Sequence, residues 1–202
     1  MRVSSLFTPS RAGVLEALHA RDQSERRRGV REASSLKALA PAVAELLFVL
    51  VLQQRARCIV EFGTSHGYST LHLAAAAEQT GGHVYSVDVL REKTACARAN
   101  LEAAELLPCV TLVTADGADF VETLGEGIDF VLVDYPVAEF ARALEPLARR
   151  VAPGCTLFVD GGPDGYWETG EGLHFRRRLE QDPRLVVTRL PMHKEQLIGV
   201  WT

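Results

Sequence analysis

The chain has 202 residues, of which 47% are hydrophobic and 24% are charged, a balance that is typical of a globular protein. This length predicts a single domain, and the composition excludes a disordered, collagen-like or coiled-coil chain. The formal net charge of −4 gives no overall basic field, which disfavours electrostatic binding of nucleic acid.

The chain begins with its least regular part. Residues 1–33 are predicted to form a helical or irregular extension to a core that spans residues 34–202. From Leu36 onward, apolar residues recur at spacings of three and four, which predicts a helix. Ser34 or Ser35 is expected to cap its start.

The sequence contains no pattern that directs it to a membrane. The longest apolar stretch, residues 42–52, includes a glutamate and is too short to cross a bilayer. Residues 1–13 lack the charged and apolar regions of a signal peptide. The four cysteines have no metal-ligand spacing, and three of them begin apolar runs, as small buried hydrophobic residues do. This pattern indicates a reducing compartment rather than a disulfide framework. We therefore expect a cytoplasmic protein with no membrane partner.

Short apolar runs and helical patterns then alternate along the chain. Strands are predicted at residues 58–62, 83–89, 110–115, 128–134, 155–160, 185–190 and 196–201. Helices are predicted at residues 68–79, 91–105, 118–124, 140–147 and 173–180. This alternation predicts an α/β, Rossmann-like, doubly wound and mainly parallel sheet. The last two strands should pair antiparallel, because the linker between them is too short for a crossover helix.

Carboxylates stand at or just beyond the ends of the first five predicted strands. In parallel sheets, ligands bind beyond the carboxyl ends of the strands. An acidic edge suits a ligand with hydroxyls, amines or positive charge, and it is a poor cradle for phosphate. The five residues are Glu61, Asp88, Asp116, Asp134 and Asp160.

The turn after the first predicted strand distinguishes between two candidate cofactors, a dinucleotide and S-adenosylmethionine. A dinucleotide site requires G-x-G-x-x-G, so that the backbone can approach a pyrophosphate. This turn has Gly63, Ser65 and Gly67, so the central glycine is missing, and Glu61 would repel a pyrophosphate. S-adenosylmethionine has no phosphate, and its ribose hydroxyls suit Asp88, at the end of the second strand.

Residues 60–70 resemble the first motif of class I S-adenosylmethionine-dependent methyltransferases. Their ending, Gly-Tyr-Ser-Thr, is similar more narrowly to the catechol and caffeoyl-CoA O-methyltransferase family. Residues 84–88 resemble the ribose-binding motif of these enzymes, and residues 115–118 resemble the adenine-side motif. The resemblance covers about residues 34–202.

The resemblance implies a role for each matching position. The methionine end, the first turn and the helix start would be formed by Glu61, Gly63, Ser65, His66, Gly67, Tyr68 and Ser69. The ribose would be bound by Asp88, and the adenine would be bordered by Asp116, Gly117 and Ala118. Asp134 would lie under the methionine and face the substrate.

The sequence departs from the metal-dependent members at two positions. Those members have a lysine three residues after the aspartate that ends the fourth strand, where this chain has Val137. Their fifth strand ends Asp-Asn, where this chain has Asp160 and Gly161. Asp134 and Asp160 remain as catalytic candidates and could still hold Mg²⁺, but no metal site is predicted.

Because Val137 replaces the lysine of the metal-dependent members, another residue must take the proton of the acceptor hydroxyl. His193, in the closing turn, is predicted to take this role, since the unperturbed pKa of a histidine, about 6.5, suits neutral pH. His66 is expected to lie against the cofactor instead. Tyr166 and Trp167 are either a lid over the acceptor or anchors of their loop.

These features predict the transfer of a methyl group from S-adenosylmethionine to a hydroxyl of a small-molecule acceptor. The alternatives are a methyltransferase that acts on nitrogen, carbon or a macromolecule, and a cofactor-binding module without catalysis. No nucleic-acid partner is expected, and the N-terminal segment could pack across a homodimer.

Overall fold

The computed structural model describes residues 7–30, 32–192 and 194–202, and in these residues seven strands form one sheet. The strands are β1 (Cys58–Phe62), β2 (His83–Asp88), β3 (Val110–Thr114), β4 (Ile128–Val133), β5 (Val151–Val159), β6 (Leu185–Pro191) and β7 (Glu195–Trp201). Their order across the sheet is β3-β2-β1-β4-β5-β7-β6. The first five strands are parallel, and β7 runs antiparallel to both β5 and β6. The predicted sheet is therefore confirmed, including its C-terminal antiparallel pair.

Helices cover both faces of this sheet. They are α1 (Pro9–Arg27), α2 (Pro41–Gln54), α3 (Tyr68–Thr80), α4 (Arg91–Ala103), α5 (Gly117–Glu122), α6 (Val137–Ala148) and α7 (Gly170–Glu180). One buried cluster lies between the sheet and the helices α1 to α4, and a second lies between the sheet and α5, α6 and α7. The doubly wound, Rossmann-like arrangement predicted from the sequence is thus confirmed.

The central strands supply both cores, because successive side chains of a strand point to opposite faces. In β1, Ile59 packs into the first cluster and Val60 into the second. In β4, Phe130 and Val131 divide in the same way. Burial on both faces explains why these strands read as continuous apolar runs.

The predicted start of the second helix is wrong. The helix begins at Pro41 rather than at Leu36, since a proline disfavours the helical conformation in the residue before it. Ala40 is accordingly extended, with φ −60° and ψ 138°. Leu36 and Leu39 are buried all the same, but in an extended segment that lies beside the first turn.

The N-terminal extension contains a full helix, α1, whose polar side chains hold this extended segment. Asp22 is buried and accepts a hydrogen bond from the N–H of Ala38 at 3.0 Å. Arg26 bridges the two, because it donates to Asp22 at 2.6 Å and to the carbonyl of Ala38 at 3.0 Å. Glu25 accepts from the N–H of Leu36 at 2.8 Å. Residues 36–39 are therefore positioned by α1.

None of the helices in the described part of the chain is both long and apolar enough to span a membrane.

Candidate functional site

The first turn, residues 63–67, lies between the ends of β1, β2 and β4. The N–H of Gly63 donates to Val87 at 2.9 Å, and the N–H of Asp134 donates to Phe62 at 2.9 Å. Gly63 has φ +103°, and a Cβ there would overlap the carbonyl oxygen of Asp134. A glycine is therefore required, both by the backbone conformation and by the close approach of β4.

Glu61 lies beneath this turn and is fully buried. Its carboxylate accepts hydrogen bonds from the hydroxyls of Ser69 at 2.5 Å, Thr70 at 2.5 Å and Ser86 at 2.6 Å. Burial raises the pKa of Glu61 to about 7, although the three hydroxyls oppose the shift. The carboxylate thus ties the start of α3 to β1 and β2, and its hydrogen bonds are directed inward.

Asp88 ends β2 and is also buried. One of its carboxylate oxygens accepts from the N–H of Ser65 at 2.9 Å, and the other accepts from the N–H of Leu90 at 2.9 Å. Each carboxylate oxygen can accept more than one hydrogen bond. The side chain therefore supports the first turn and keeps capacity for a ligand hydroxyl.

Asp116 lies at the N-terminus of α5, which it caps by accepting from the N–H of Ala118 at 2.9 Å. Its other oxygen accepts from Arg142 of α6 at 2.7 Å. That cap and Arg142 lower the pKa of Asp116. Gly117 is buried, and a Cβ there would press on the ring of Phe62.

His66, in the first turn, and Tyr68, at the start of α3, are both buried. Burial lowers the pKa of His66, and the positive charges of Arg21 and Lys93 lower it further. A neutral imidazole is therefore favoured at pH 7. Burial raises the pKa of Tyr68 to about 12, so its phenol keeps its proton.

Asp134 and Asp160 follow β4 and β5, which are neighbours in the sheet. The side chain of Asp160 is only 4% exposed, and its two oxygens accept from Lys194 Nζ and from Gln196 Nε2, each at 3.0 Å. Burial, and secondly the nearby charge of Asp160, raise the pKa of Asp134, while Lys194 opposes the shift.

Lys194 and Gln196 belong to this site but are not predicted from the sequence. The predicted antiparallel pair of strands could have indicated them. Because β7 runs against β5, its first residues lie at the carboxyl edge of the parallel strands. Val159 pairs with Leu197, which sets Gln196 beside Asp160. The predicted base, His193, lies in the same turn but outside the described residues.

Gly161 shows why an amide ligand is missing at this edge. A Cβ at Gly161 would overlap the backbone of Glu195, at the start of β7. Val137, the other departure from the metal-dependent pattern, is buried at the start of α6. Among residues 7–30, 32–192 and 194–202, this edge included, no group of three or more His, Cys, Asp or Glu side chains could hold a metal ion. Because the positive charge of Lys194 already lies 3.0 Å from Asp160 and the amide ligand is missing, this donor set does not fit a divalent cation.

A cavity of about 420 Å³ opens beside Asp160. Its walls are α1, the extended segment before α2 and the start of β7. In this wall, the buried Nδ1 of His19 and Oε1 of Gln196 have no hydrogen-bond partner among the described residues. The principal lining residues are Asp22, Ala38, Leu39, Asp160, Lys194 and Gln196.

The extended segment separates this cavity from the first turn. Ala38 and Leu39 line the cavity on one side and border the first turn and Asp134 on the other. The Ser65 hydroxyl donates to the carbonyl of Leu36 at 3.0 Å. The space at the turn, which Asp134 borders, and the cavity at Asp160 therefore lie next to each other and share Ala38 and Leu39 as a common wall.

Trp167 behaves as an anchor of its loop. It is fully buried, and its indole N–H donates to the carbonyl of Glu195. Tyr166 stacks edge-on against it, with ring centroids 4.9 Å apart. Between the two alternatives, the contacts favour anchors of the loop over a lid.

The acidic edge fits S-adenosylmethionine by the chemistry of its side chains. Asp88 and Asp116 offer carboxylate oxygens, which are the kind of acceptor that ribose hydroxyls and an adenine amine require. The turn lacks the central glycine that would admit a pyrophosphate.

Comparison with solved structures shows the same fold. An O-methyltransferase from Bacillus cereus, in complex with SAH, is 24% identical with a TM-score of 0.75, over 94% of this chain and 91% of that one. The O-methyltransferase TomG from Streptomyces achromogenes, in complex with SAM, is 22% identical with a TM-score of 0.77, over 93% of this chain and 90% of that one.

A curated relative has a different kind of name. Ribosomal RNA small subunit methyltransferase G of Rhodopseudomonas palustris is 32% identical over 128 residues, which cover 59% of this chain and 53% of the relative. The chain thus spans about half the length of the curated relatives it matches.

Residues 60–161, which run from β1 to just beyond β5 and make up half of the chain, match the methyltransferase domain family. This range contains the first turn and the aspartates that lie at or just beyond the ends of β2, β3, β4 and β5. The chain therefore belongs to the methyltransferase domain family, and its identification as a class I S-adenosylmethionine-dependent methyltransferase is confirmed.

Proposed function

We propose that this chain transfers a methyl group from S-adenosylmethionine to a hydroxyl of a small, polar acceptor. The observation that carries the proposal is the cavity beside Asp160, which adjoins the first turn through Ala38 and Leu39. A small molecule in this cavity would have its hydroxyl close to Asp160 and Lys194. The unpartnered Oε1 of Gln196 suits a hydroxyl donor better than an apolar group.

The residues at this edge of the sheet are proposed to contact the cofactor in the way that the family resemblance implies. Asp88 binds the ribose, and Asp116, Gly117 and Ala118 border the adenine. Gly63, Ser65, Gly67, Tyr68 and Ser69 shape the methionine end, which Glu61 supports from below.

The acceptor half of the site aligns the reacting oxygen. S-adenosylmethionine supplies a methyl carbon that is already activated by its sulfonium. The chain must hold the acceptor oxygen roughly 3–3.5 Å from that carbon. Asp134 and Asp160 are proposed to orient the hydroxyl, and His193 stays the predicted base.

Methylation of ribosomal RNA is the second candidate function, because curated relatives of that name match 128 residues of this chain. The formal net charge of −4 argues against it, since RNA binding relies on contacts of basic side chains with phosphates. The resemblance to the catechol and caffeoyl-CoA O-methyltransferases favours a small acceptor. A cytoplasmic location, a homodimer and a single domain over residues 1–202 stay predictions.

An assay with radiolabelled S-adenosylmethionine distinguishes between these candidate functions. The purified chain is incubated with phenolic and aliphatic hydroxyl compounds, with matched amines, and with unmodified small-subunit ribosomal RNA. We expect label in hydroxyl compounds, and we expect SAH but not NAD to raise the melting temperature. Label in RNA alone would support the second candidate. SAH binding without transfer to any acceptor would favour a module without catalysis.

A further inference from the structure

We propose that the ammonium group of Lys194 takes the place of a divalent cation in the acceptor site, so that this enzyme methylates its acceptor without a metal. This inference rests on the proposed hydroxyl acceptor, because Lys194 would act on that oxygen. Nothing in the first-motif resemblance points to Lys194. It follows from the position of the closing turn beside Asp160.

The carboxylate of Asp160 is the first evidence. Its side chain is 4% exposed, and a buried carboxylate is costly unless it is paired and hydrogen-bonded. Lys194 provides the pair at 3.0 Å, and Gln196, which is 1% exposed, provides a hydrogen bond at 3.0 Å. Asp160 therefore has a built-in cation and does not need a metal to offset its charge.

The backbone at Gly161 is the second evidence. A metal site at this edge would use a side-chain oxygen from the residue after Asp160. The carbonyl of Glu195 lies where the Cβ of such a residue would be. The approach of β7 that brings Lys194 to Asp160 therefore also excludes that ligand. The loss of the ligand and the arrival of the ammonium have one structural cause.

Lys194 is also accessible to an acceptor. Its side chain is 37% exposed, and it lines the cavity together with Asp160 and Gln196. Only one carboxylate pairs with it among the described residues, so the remaining ammonium hydrogens can be donated to an oxygen in the cavity.

Methyl transfer is proposed to be a single displacement at the methyl carbon. The acceptor oxygen forms a bond to the methyl carbon, the carbon–sulfur bond breaks, and its electron pair stays on sulfur. The hydroxyl proton passes to the base, for which His193 is the candidate. Lys194 keeps its own proton throughout and stabilises the oxygen as negative charge develops on it.

Metal binding tests the proposal without any acceptor. Mn²⁺ is titrated into the full chain and followed by electron paramagnetic resonance, for the wild type, Lys194→Ala and Asp160→Asn. We expect no wild-type binding below millimolar concentration, and at least tenfold tighter binding in Lys194→Ala, since the freed carboxylate joins Asp134. Sub-millimolar binding to the wild type that Asp160→Asn abolishes would overturn the proposal.

Turnover tests the role of the charge. With an acceptor in hand, Lys194→Ala should lower kcat by about 10²–10³-fold, with SAH affinity unchanged. Lys194→Cys treated with bromoethylamine, which rebuilds an ammonium at this position, should recover much of the loss. The treated wild type controls for modification of the native cysteines, and Arg177→Ala, on the exposed side of α7, controls for loss of one surface charge.

Two outcomes of the turnover test would contradict the proposal: abolition of wild-type activity by EDTA with rescue by Mg²⁺, or a kcat of Lys194→Ala within threefold of the wild type. If no hydroxyl compound is methylated, the proposed function fails while the Mn²⁺ result still stands. The two failures are therefore distinguishable.

Discussion

The carboxylate of Asp88 lies 2.9 Å from the backbone nitrogen of Ser65 and accepts its hydrogen bond. Ser65 has φ +46°, a left-handed conformation that costs a non-glycine residue roughly 1–2 kcal/mol. The bond to Asp88 offsets part of this cost, because hydrogen bonds to a charged group are stronger than neutral ones. The end of β2 thus holds the first turn in its observed conformation.

Replacing Asp88 should weaken cofactor binding. We expect Asp88→Ala to lower SAH affinity at least about tenfold, since a hydrogen bond to a charged group contributes roughly 1.5–3 kcal/mol and about 1.4 kcal/mol is a factor of ten. Isothermal titration calorimetry measures the change. Glu102→Ala, on the exposed face of α4, is the control, and an unchanged affinity in Asp88→Ala would rule out its assignment to the ribose.

Glu61 should make stability depend on pH. Its pKa is raised from 4.5 to about 7 in the folded chain, so the folded state keeps a proton that the unfolded state releases. Its contribution to stability is present below about pH 4.5 and is lost as the pH rises through about 7, with a slope of up to about 1.4 kcal/mol per pH unit.

Glu61→Gln tests this dependence by chemical denaturation from pH 4 to 8. The variant lacks the titrating group, so the free energy of unfolding of the wild type relative to Glu61→Gln should fall across this window. Glu102→Gln, which changes an exposed glutamate, should run parallel to the wild type. A constant difference between the wild type and Glu61→Gln would show that the pKa of Glu61 is the same in the folded and unfolded chains.

Gly63 and Gly127 form a matched pair. Both have positive φ, +103° and +88°, but a Cβ at Gly63 would overlap Asp134, whereas a Cβ at Gly127 would meet nothing within 4 Å. Gly127→Ala should therefore cost roughly 1–2 kcal/mol from backbone strain alone. Gly63→Ala should cost at least about 2 kcal/mol more and should weaken SAH binding. Similar unfolding energies for the two variants would mean that the turn can move away from β4.

Replacing His193 should lower kcat, whereas replacing His66 should weaken cofactor binding. We expect His193→Ala to lower kcat about 10²-fold with cofactor affinity intact, the usual contribution of a general base. His66→Ala should weaken SAH binding, because His66 is buried in the first turn. His174→Ala, exposed on α7, is the control. The reverse pattern would exchange the two roles, and if neither variant slows turnover, the acceptor needs no histidine base.

Much of the fold could be predicted because its signals are local. β1 and β4 are buried on both faces, so their apolar runs and the turns after them are visible in the sequence. The start of α2 was misplaced because Leu36 and Leu39 are buried for a tertiary reason. They pack beside the first turn, and their spacing happens to match a helix.

The acceptor half of the site was harder to predict. Asp134 and Asp160 stand out in sequence, since each directly follows a strand. Lys194 lies 34 residues after Asp160, and only the pairing of β7 with β5 brings the two together. The missing amide at Gly161 likewise has its cause in Glu195, a contact that no local pattern contains.

The reversed direction of β7 separates the two halves of the enzyme along the chain. The residues proposed to bind the cofactor lie between Glu61 and Asp134, whereas Lys194 of the closing turn and Ala38 and Leu39 of the extended segment border the cavity proposed for the acceptor. Strand pairing anchors β7 independently of that turn. On the proposed function, libraries over residues 192–194 would therefore change the acceptor preference while strand pairing keeps β7 and the proposed cofactor half in place.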